Sequence, residues 1–166
     1  CLERSIKLLK EQGIFQIIVL TCYESHLFFQ SIKALKEKYS VEIELFIENE
    51  PLGECGSLWL IKEKLTSNFL FLNADLIWEI DIKRFNKFHL EKTSEITLLT
   101  HLSNHPEDSD ILSESKTKEI YNFSLKPHSE DMLLGQMNLG NAGIAIIGPH
   151  LLDKLPPPKN KKSLCH

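Results

Sequence analysis

The sequence lacks long basic runs, long apolar runs and closely spaced cysteines. Its formal net charge is −4 over 166 residues, which argues against a nucleic-acid-binding role. No apolar run approaches the roughly 20 residues of a membrane-spanning helix, and no signal peptide is visible, so we expect no membrane association. The 4 cysteines form no Cys-x-x-Cys pair, which favours reduced thiols and a cytoplasmic location.

What the sequence does contain is typical of one globular domain. It is 42% hydrophobic and 25% charged, and a chain of this length can bury a sizeable core. The first residues already have helical spacing, and no capping signal precedes the last residue, His166. We therefore expect a single domain over 1–166 that is incomplete at both ends.

Apolar spacing predicts alternating helices and strands along most of the chain. The predicted helices cover about 2–12, 24–38, 55–65 and 81–91, and the predicted strands cover 15–21, 41–47, 69–72, 95–100, 118–123 and 142–147. Residues 102–118 and 127–135 read as loops, and 156–162 as an exposed linker or lid. This alternation predicts an α/β fold with a doubly wound, mixed but mostly parallel sheet and helices on both faces.

One short apolar run leads directly into a carboxylate. Phe69–Leu72 reads as a buried strand, and Asn73-Ala74-Asp75 follows it. Open α/β folds bind ligands at the carboxyl edge of the sheet, where Asp75 would lie. Asp75 is therefore a candidate metal ligand, with capping of a turn or helix as the alternative.

A Pro-Leu-Gly turn precedes the third predicted helix. The segment Glu50-Pro51-Leu52-Gly53, followed by Gly56, suits close approach of a flat ligand to the backbone. Judged by spacing alone, a plain strand-to-helix turn explains it better. With Asp75, the segment indicates a nucleotide-and-metal site.

These segments, taken in order, resemble the sugar-1-phosphate nucleotidyltransferase family, and the resemblance covers most of the chain. Its anchors are Glu50–Gly53 with Gly56, Asn73-Ala74-Asp75 with Asp81, Phe88-His89, Lys126-Pro127 and Asn141-Ala142-Gly143. The segments 105–111, 126–128 and 138–143 look like the mannose- and heptose-1-phosphate guanylyltransferase branch. The family implies a Rossmann-like nucleotidyltransferase fold.

The resemblance also implies a reaction and its participants. An NTP, with GTP favoured, would react with a sugar 1-phosphate to give an NDP-sugar and pyrophosphate, with Mg²⁺ as cofactor. Asp75 would be catalytic as the metal ligand, and Lys126 would hold the phosphate of the sugar. Asp110, Asn141 and Gly143 would bind the sugar, and Glu50–Gly53 with Gly56 the nucleotide. The branch further implies surface polysaccharide or lipopolysaccharide assembly, and a fused phosphatase domain or a homo-oligomer.

The sequence departs from the family pattern at both ends and at two internal sites. A Gly-rich loop with Arg and Lys would precede Cys1, and a late metal-binding Asp would follow His166, so residues 1–166 alone should not be a complete enzyme. Leu125 replaces the usual Glu, and Ser109-Asp110 replaces the usual Tyr-Gly.

Two other functions stay open at this point. Asp108-Ser109-Asp110 spells the Asp-x-Asp of nucleotide-sugar-dependent glycosyltransferases, although here it follows a loop. A non-catalytic module that binds an NDP-sugar and regulates a partner would explain Leu125. A transition-metal site at His101 and His105 is disfavoured because no periodicity aligns the histidines, and Cys55 reads as a packed thiol.

Overall fold

The computed structural model describes residues 1–22, 26–126, 128 and 139–157, with the backbone alone at His26, Glu54, Cys55 and Asp108. Five helices are present in this part of the chain: α1 (Leu2–Glu11), α2 (His26–Tyr39), α3 (Gly53–Leu60), α4 (Ile82–Lys92) and α5 (Pro149–Asp153). The strands are β1 (Gln16–Thr21), β2 (Glu42–Ile47), β3 (Phe69–Leu72), β4 (Ile96–Leu102), β5 (Ile111–Glu114), β6 (Ile120–Ser124) and β7 (Leu139–Ile147). Short 3₁₀ turns span Lys62–Lys64 and Pro106–Asp108.

The strands form two sheets. β1 and β2 pair in parallel, from Gln16 opposite Glu42 to Thr21 opposite Ile47. In the larger sheet β7 pairs with β3, β4 and β5, and β6 pairs with β5; all of these pairs are antiparallel. The predicted α/β class is confirmed, but the prediction of a mostly parallel sheet is wrong for the described strands. The reason is that β7 runs back against its neighbours and that β5 and β6 form a hairpin.

Several element boundaries differ from those predicted. β5 lies within the predicted 102–118 loop, and α5 was not predicted. β5 is short and apolar only at Ile111 and Leu112, too weak a pattern to identify as a strand, yet these two side chains are only 2% and 1% exposed. The predicted 127–135 loop, apart from His128, and most of the 156–162 linker lie outside the described residues.

Buried apolar side chains fall into three clusters, and two of them join the two sheets. Ile17 of β1 packs in the same cluster as Leu70 and Leu72 of β3, and Leu20 of β1 packs with Phe69 and Phe71. β3 was predicted to be a buried strand, but its four residues are half-buried. The buried strand is β7, because it has neighbours along both edges.

Within the described residues, no helix combines the length and the apolar character needed to cross a membrane.

Candidate functional site

The turn after β3 presents Asp75 at the surface. Asn73 closes this turn, because its carbonyl accepts the Leu76 N–H at 3.3 Å. Asp75 is exposed, and none of the described hydrogen bonds or ion pairs includes its carboxylate. The alternative role of helix cap belongs instead to Asp81, whose Oδ1 accepts the Arg84 N–H at the start of α4 at 3.0 Å.

A bulge in β7 lies directly against this turn. Leu98 is opposite Ala145 and Thr100 is opposite Asn141, so three residues of β7 oppose the single Leu99. At the bulge Gly143 has φ +70°, a left-handed conformation that glycine adopts without strain. Of the predicted sugar-binding residues, Gly143 therefore lies within this irregularity of the central strand and Asn141 lies at its edge.

The bulge and the Asp75 turn are joined by close contacts. The Gly143 carbonyl accepts the Asn73 N–H at 3.1 Å, and the Gly143 N–H donates to Asn141 Oδ1 at 3.0 Å. A Cβ at Gly143 would lie 2.9 Å from Asn73 Nδ2. The structure thus brings two predicted site segments together, and Asn141 uses its amide oxygen to hold the bulge, leaving the Nδ2 hydrogens as its donors to a ligand.

Asp110 and Lys126 are also brought together. Asp110 Oδ1 accepts the backbone N–H of Lys126 at 3.1 Å, and His128 Nε2 lies 2.8 Å from the Ser109 carbonyl, to which it donates. The Lys126 side chain is exposed. Asp110, which the resemblance places at the sugar, has a structural contact with the segment that carries the candidate phosphate-binding cation.

Strand pairing places Asp110 next to the bulge. Ile111 of β5 is opposite Gly140 of β7, so the preceding residue on β5 adjoins Asn141 on β7. The Asp110 carboxylate and the Asn141 amide therefore lie in one region of the larger sheet. Lys126 lies in the same region, because its N–H donates to Asp110 at 3.1 Å. We call Asp75, Asp110, Lys126, Asn141 and Gly143 the sheet-edge group.

The predicted nucleotide-binding turn is tied to a buried carboxylate. Glu48 follows β2 and is 8% exposed; its Oε2 accepts the Leu52 N–H at 3.1 Å and its Oε1 accepts the Ser57 hydroxyl. Gly53, with φ +73°, begins α3, and Gly56 is buried. We call residues 48–57 the turn segment; Glu50 is exposed at its outer side.

Glu48 and Ser57 are the residues that sequence reasoning missed. Along β2 the exposed Glu42 and Glu44 make Glu48, of the same parity, read as solvent-facing. The chain turns after Ile47, so the alternation ends and Glu48 is buried instead. The signal that could have identified it is a polar side chain at the end of a strand, four residues before the N–H it accepts.

The described carboxylates suit a hard cation such as Mg²⁺ that is bound mostly by the phosphates of a substrate. No group of three or more His, Cys, Asp or Glu side chains that could hold a metal occurs in the described part of the chain. Mg²⁺ commonly binds through one or two carboxylates together with substrate phosphates, and the exposed Asp75 fits that mode. Asp75 is therefore the residue that would hold the ion.

The residues considered for a transition-metal site and for a glycosyltransferase make contacts of their own. His105 Nδ1 lies 3.6 Å from Glu107 Oε1, and His101 Nδ1 lies 3.1 Å from the Leu102 carbonyl. Ser109 follows a 3₁₀ turn, Pro106–Asp108, so the Asp-x-Asp sequence begins in a loop as predicted. The side chains of Cys55 and Asp108 lie outside what the structure describes.

Comparison with known proteins identifies the family. The sequence matches the family described as "Nucleotidyl transferase" over residues 2–161. It is 28% identical over 155 residues to mannose-1-phosphate guanylyltransferase 1 of Arabidopsis thaliana, covering 90% of this chain and 42% of the relative. It is 29% identical over 152 residues to mannose-1-phosphate guanyltransferase of Yarrowia lipolytica, covering 89% of this chain and 40% of the relative.

A solved structure shows the same fold. The crystal structure of HddC from Yersinia pseudotuberculosis superposes with a TM-score of 0.75 at 22% identity, covering 95% of this chain and 67% of HddC; HddC has also been solved in complex with GMP-PN, with a TM-score of 0.74. The chain spans about two fifths of the length of the two curated relatives. On the match over residues 2–161, the chain belongs to the nucleotidyl transferase family, whose fold it shares.

Proposed function

We propose that this chain forms the substrate-binding part of a sugar-1-phosphate guanylyltransferase. GTP and mannose 1-phosphate, or a heptose 1-phosphate of similar shape, are the proposed substrates. The observation that carries the proposal is the contact between the Asn73–Asp75 turn and the Asn141–Gly143 bulge, which joins the candidate metal ligand to the candidate sugar site. The named activities of the curated relatives support the choice of substrates.

The proposed reaction is a nucleotidyl transfer. A phosphate oxygen of the sugar 1-phosphate attacks the α-phosphorus of GTP, the bond from that phosphorus to the β-phosphate oxygen breaks, and pyrophosphate leaves. Such transfers depend on positioning and on neutralising charge rather than on covalent catalysis by the protein. No proton has to be removed from a phosphate oxygen that is already ionised, so no general base is required.

Each group of residues has a separate part in this scheme. Glu50–Gly53 and Gly56 would present backbone groups to the nucleotide. Lys126 would hold the phosphate of the sugar as a compact cation, and the amide hydrogens of Asn141 would donate to sugar hydroxyls. Because Asp110 holds the Lys126 backbone at 3.1 Å, its proposed part is to orient the lysine segment.

Mg²⁺ is the proposed cofactor, and Asp75 would hold it together with the phosphates. When bound, the ion supplies charge neutralisation at the reacting phosphates. A cytoplasmic location and delivery of the product to surface polysaccharide assembly, such as lipopolysaccharide, complete the proposal; a fused phosphatase domain or a homo-oligomer is compatible with it.

The test is pyrophosphate release by the full-length natural polypeptide. GTP, ATP, UTP and dTTP are each combined with mannose 1-phosphate, a heptose 1-phosphate and glucose 1-phosphate, with and without Mg²⁺. We expect release to be fastest with GTP and mannose or heptose 1-phosphate, and to stop when EDTA removes the metal. Release with a different base or sugar would correct the substrate and keep the reaction class.

Two outcomes would replace the proposal. Binding of GDP-mannose without pyrophosphate release from any pair would favour a regulatory module that binds a nucleotide sugar. Transfer of mannose from GDP-mannose to an acceptor, with GDP and no pyrophosphate as product, would favour a glycosyltransferase. Calorimetric titration with GDP-mannose separates binding from turnover in both cases.

A further inference from the structure

We propose that two copies of this chain associate through the open edge of β2, related by a two-fold axis at Leu45. The two copies of β2 pair antiparallel, so the parallel β1–β2 sheet of each copy becomes half of one continuous sheet. This inference goes beyond the proposed function, since it concerns a surface of the chain and involves neither substrate.

The backbone of β2 leaves one edge available for pairing. Among the described strands, β2 pairs with β1 alone. The N–H groups of Glu42 and Glu48, at the two ends of β2, donate to the carbonyls of Phe15 and Thr21, each at 2.8 Å. Because the backbone groups of successive residues point to opposite edges of a strand, the even-numbered residues face β1. The backbone groups of the odd-numbered residues within Ile43–Ile47 therefore face the open edge.

The same odd-numbered residues carry apolar side chains. Ile43 and Leu45 pack beside Ile32 of α2, and Ile47 is 38% exposed. Charge lies on the other face of the strand, where Glu44 is exposed. Sheet edges are commonly protected from pairing by an inward-pointing charge, a proline or a bulge. The edge of β2 has none of these over 43–47, and its ladder with β1 is unbroken.

A two-fold axis at Leu45 makes this edge complementary to itself. Residues whose backbone groups face the shared edge form the hydrogen-bonded pairs of an antiparallel ladder. Leu45 is then opposite Leu45 of the second copy, and Ile43 is opposite its Ile47, so apolar side chains meet apolar side chains. Phe29 of α2 is 55% exposed and lines the groove beside this edge with Ile32, and the second copy would cover it.

The charges at the two ends of β2 favour the antiparallel arrangement. Lys36, in the last turn of α2, lies 3.5 Å from Glu42 at the start of β2, and Lys33 lines the same groove. The exposed Glu50 follows the other end of the strand. Antiparallel pairing brings the start of one β2 to the end of the other, so the lysines of each copy approach the opposite Glu50. Parallel pairing would place lysines beside lysines.

The first experiment tests the register by oxidative cross-linking of the full-length polypeptide. Leu45→Cys places two thiols across the axis, where the Cα atoms of a hydrogen-bonded pair are about 5.5 Å apart, a separation that a disulfide can span. In Ile47→Cys the two positions would be on the order of 13 Å apart along the paired strands. We expect a covalent dimer from Leu45→Cys and none from Ile47→Cys, beyond the background of the wild type and its own cysteines.

Peptide mapping of the cross-linked product identifies the position of the link. A disulfide between position 45 of the two copies is the expected result. A link between position 47 of the two copies, or no link at position 45 above the wild-type background, would overturn the proposed pairing.

The second experiment disrupts the apolar stripe and measures self-association by sedimentation equilibrium. Ile47→Lys adds a charge at a position that is already 38% exposed, so the fold should be retained and the Kd of the dimer should rise at least about tenfold. Ile120→Lys is the matched control, because Ile120 is 44% exposed on β6, which is also an edge strand, and it should leave the Kd unchanged.

The outcomes separate this surface from others and from the proposed function. A wild type that stays monomeric, or a dimer that Ile47→Lys leaves intact, would overturn the inference. Should Ile47→Lys not fold, Lys33→Glu at an exposed position of α2 should raise the Kd about threefold, and an unchanged Kd would count against the inference. Neither experiment depends on turnover, so failure of the proposed reaction leaves both results interpretable.

Discussion

The turn segment and the sheet-edge group are held by different kinds of contact. In the turn segment a carboxylate 8% exposed accepts two hydrogen bonds. In the sheet-edge group an exposed backbone N–H donates to Asp110 at 3.1 Å, and water can replace that bond at little cost. From this difference we expect the proposed nucleotide side to be formed before any ligand binds, and the proposed lysine side to be completed only when a phosphate binds.

The largest effect is expected at Asp75, whose carboxylate takes part in none of the described hydrogen bonds or ion pairs. Asp75→Asn should lower pyrophosphate release at least about 100-fold, because a ligand to Mg²⁺ contributes several kcal/mol to stabilising charge in the transition state. Its stability should barely change, since Asp75 is exposed. Steady-state rates over a Mg²⁺ titration, together with a denaturant midpoint, measure both.

Asp81→Asn is the matched control for that substitution. It makes the same chemical change six residues later, at the cap of α4, and should leave turnover intact because an Asn cap is almost as good as Asp. Equal losses from the two variants, or full activity in Asp75→Asn, would remove Asp75 from the proposed site.

The next largest effect is expected at Lys126, and it should distinguish the proposed sugar-phosphate side of the site from the proposed nucleotide side. Lys126→Met should lower kcat/KM for the sugar 1-phosphate about 100-fold, since it removes the cation proposed to position the attacking phosphate of the sugar. Asp110→Ala should cost about tenfold or less, because it removes only an exposed hydrogen bond. Lys116→Met, which removes an exposed charge from the β5–β6 turn, should have no effect.

Comparing the effect of each variant on the two substrates tests whether the turn segment and the sheet-edge group act separately. Variants at Lys126 and Asp110 should change the KM for the sugar 1-phosphate, and Glu48→Ala should change the affinity for GTP. A GTP-specific defect in Asp110→Ala would mean that the two regions act as one unit.

Two glycines allow the strain at the bulge to be measured by comparison. Gly143 and Gly53 have φ values of +70° and +73°, so Ala at either position should cost about 1–2 kcal/mol of unfolding free energy. Only at Gly143 would the added Cβ meet Asn73 Nδ2, at 2.9 Å, and the further cost there should be about 1 kcal/mol. Urea midpoints of the two variants test the difference.

Asn73 provides the check on that explanation. In an Asn73→Ala background the additional cost of Gly143→Ala should become smaller, because the nearest clashing atom is absent and only Leu76 Cδ1, at 3.3 Å, remains close. An undiminished cost would place the strain elsewhere in the bulge.

The larger features of the fold follow from local patterns, and the finer ones depend on long-range pairing. Apolar periodicity was sufficient to predict α1 and α4 within a residue or two, because each helix presents one apolar face to the core. A β-branched apolar run was sufficient to predict β1 with the same accuracy. Apolar patterning could not give the direction of β7, since strand polarity depends on which edge a distant segment joins. It also missed β5, where two buried side chains are too few to form a pattern.

The candidate site divides in the same way. Asp75 could be proposed because a strand-end carboxylate is visible in the sequence itself, and the turn segment because Pro and Gly mark it. Glu48 was missed, because the sequence shows only its place at the end of a strand, and its burial depends on the position of Ser57 nine residues later. Likewise the hydrogen bond between Asp110 and Lys126 depends on the β5–β6 hairpin, which brings together two residues that are sixteen positions apart.

The smallest expected effect tests burial, the property that distinguishes the two regions, at a pair outside both. His89 is 2% exposed, its Nδ1 lies 2.8 Å from Thr97 Oγ1, and burial lowers its pKa below the ordinary 6.5. The unfolded state therefore binds a proton more readily than the folded state, so the stability that this group contributes is fully present above about pH 6.5 and declines as the pH falls through the folded-state pKa.

The experiment compares urea midpoints at about pH 7.5 and about pH 5.5. The loss of stability between the two pH values should be smaller in His89→Gln than in the wild type, and unchanged in the exposed His150→Gln. Equal acid sensitivity in His89→Gln and the wild type would show that burial of this histidine has no thermodynamic consequence, and would weaken the same argument for Glu48.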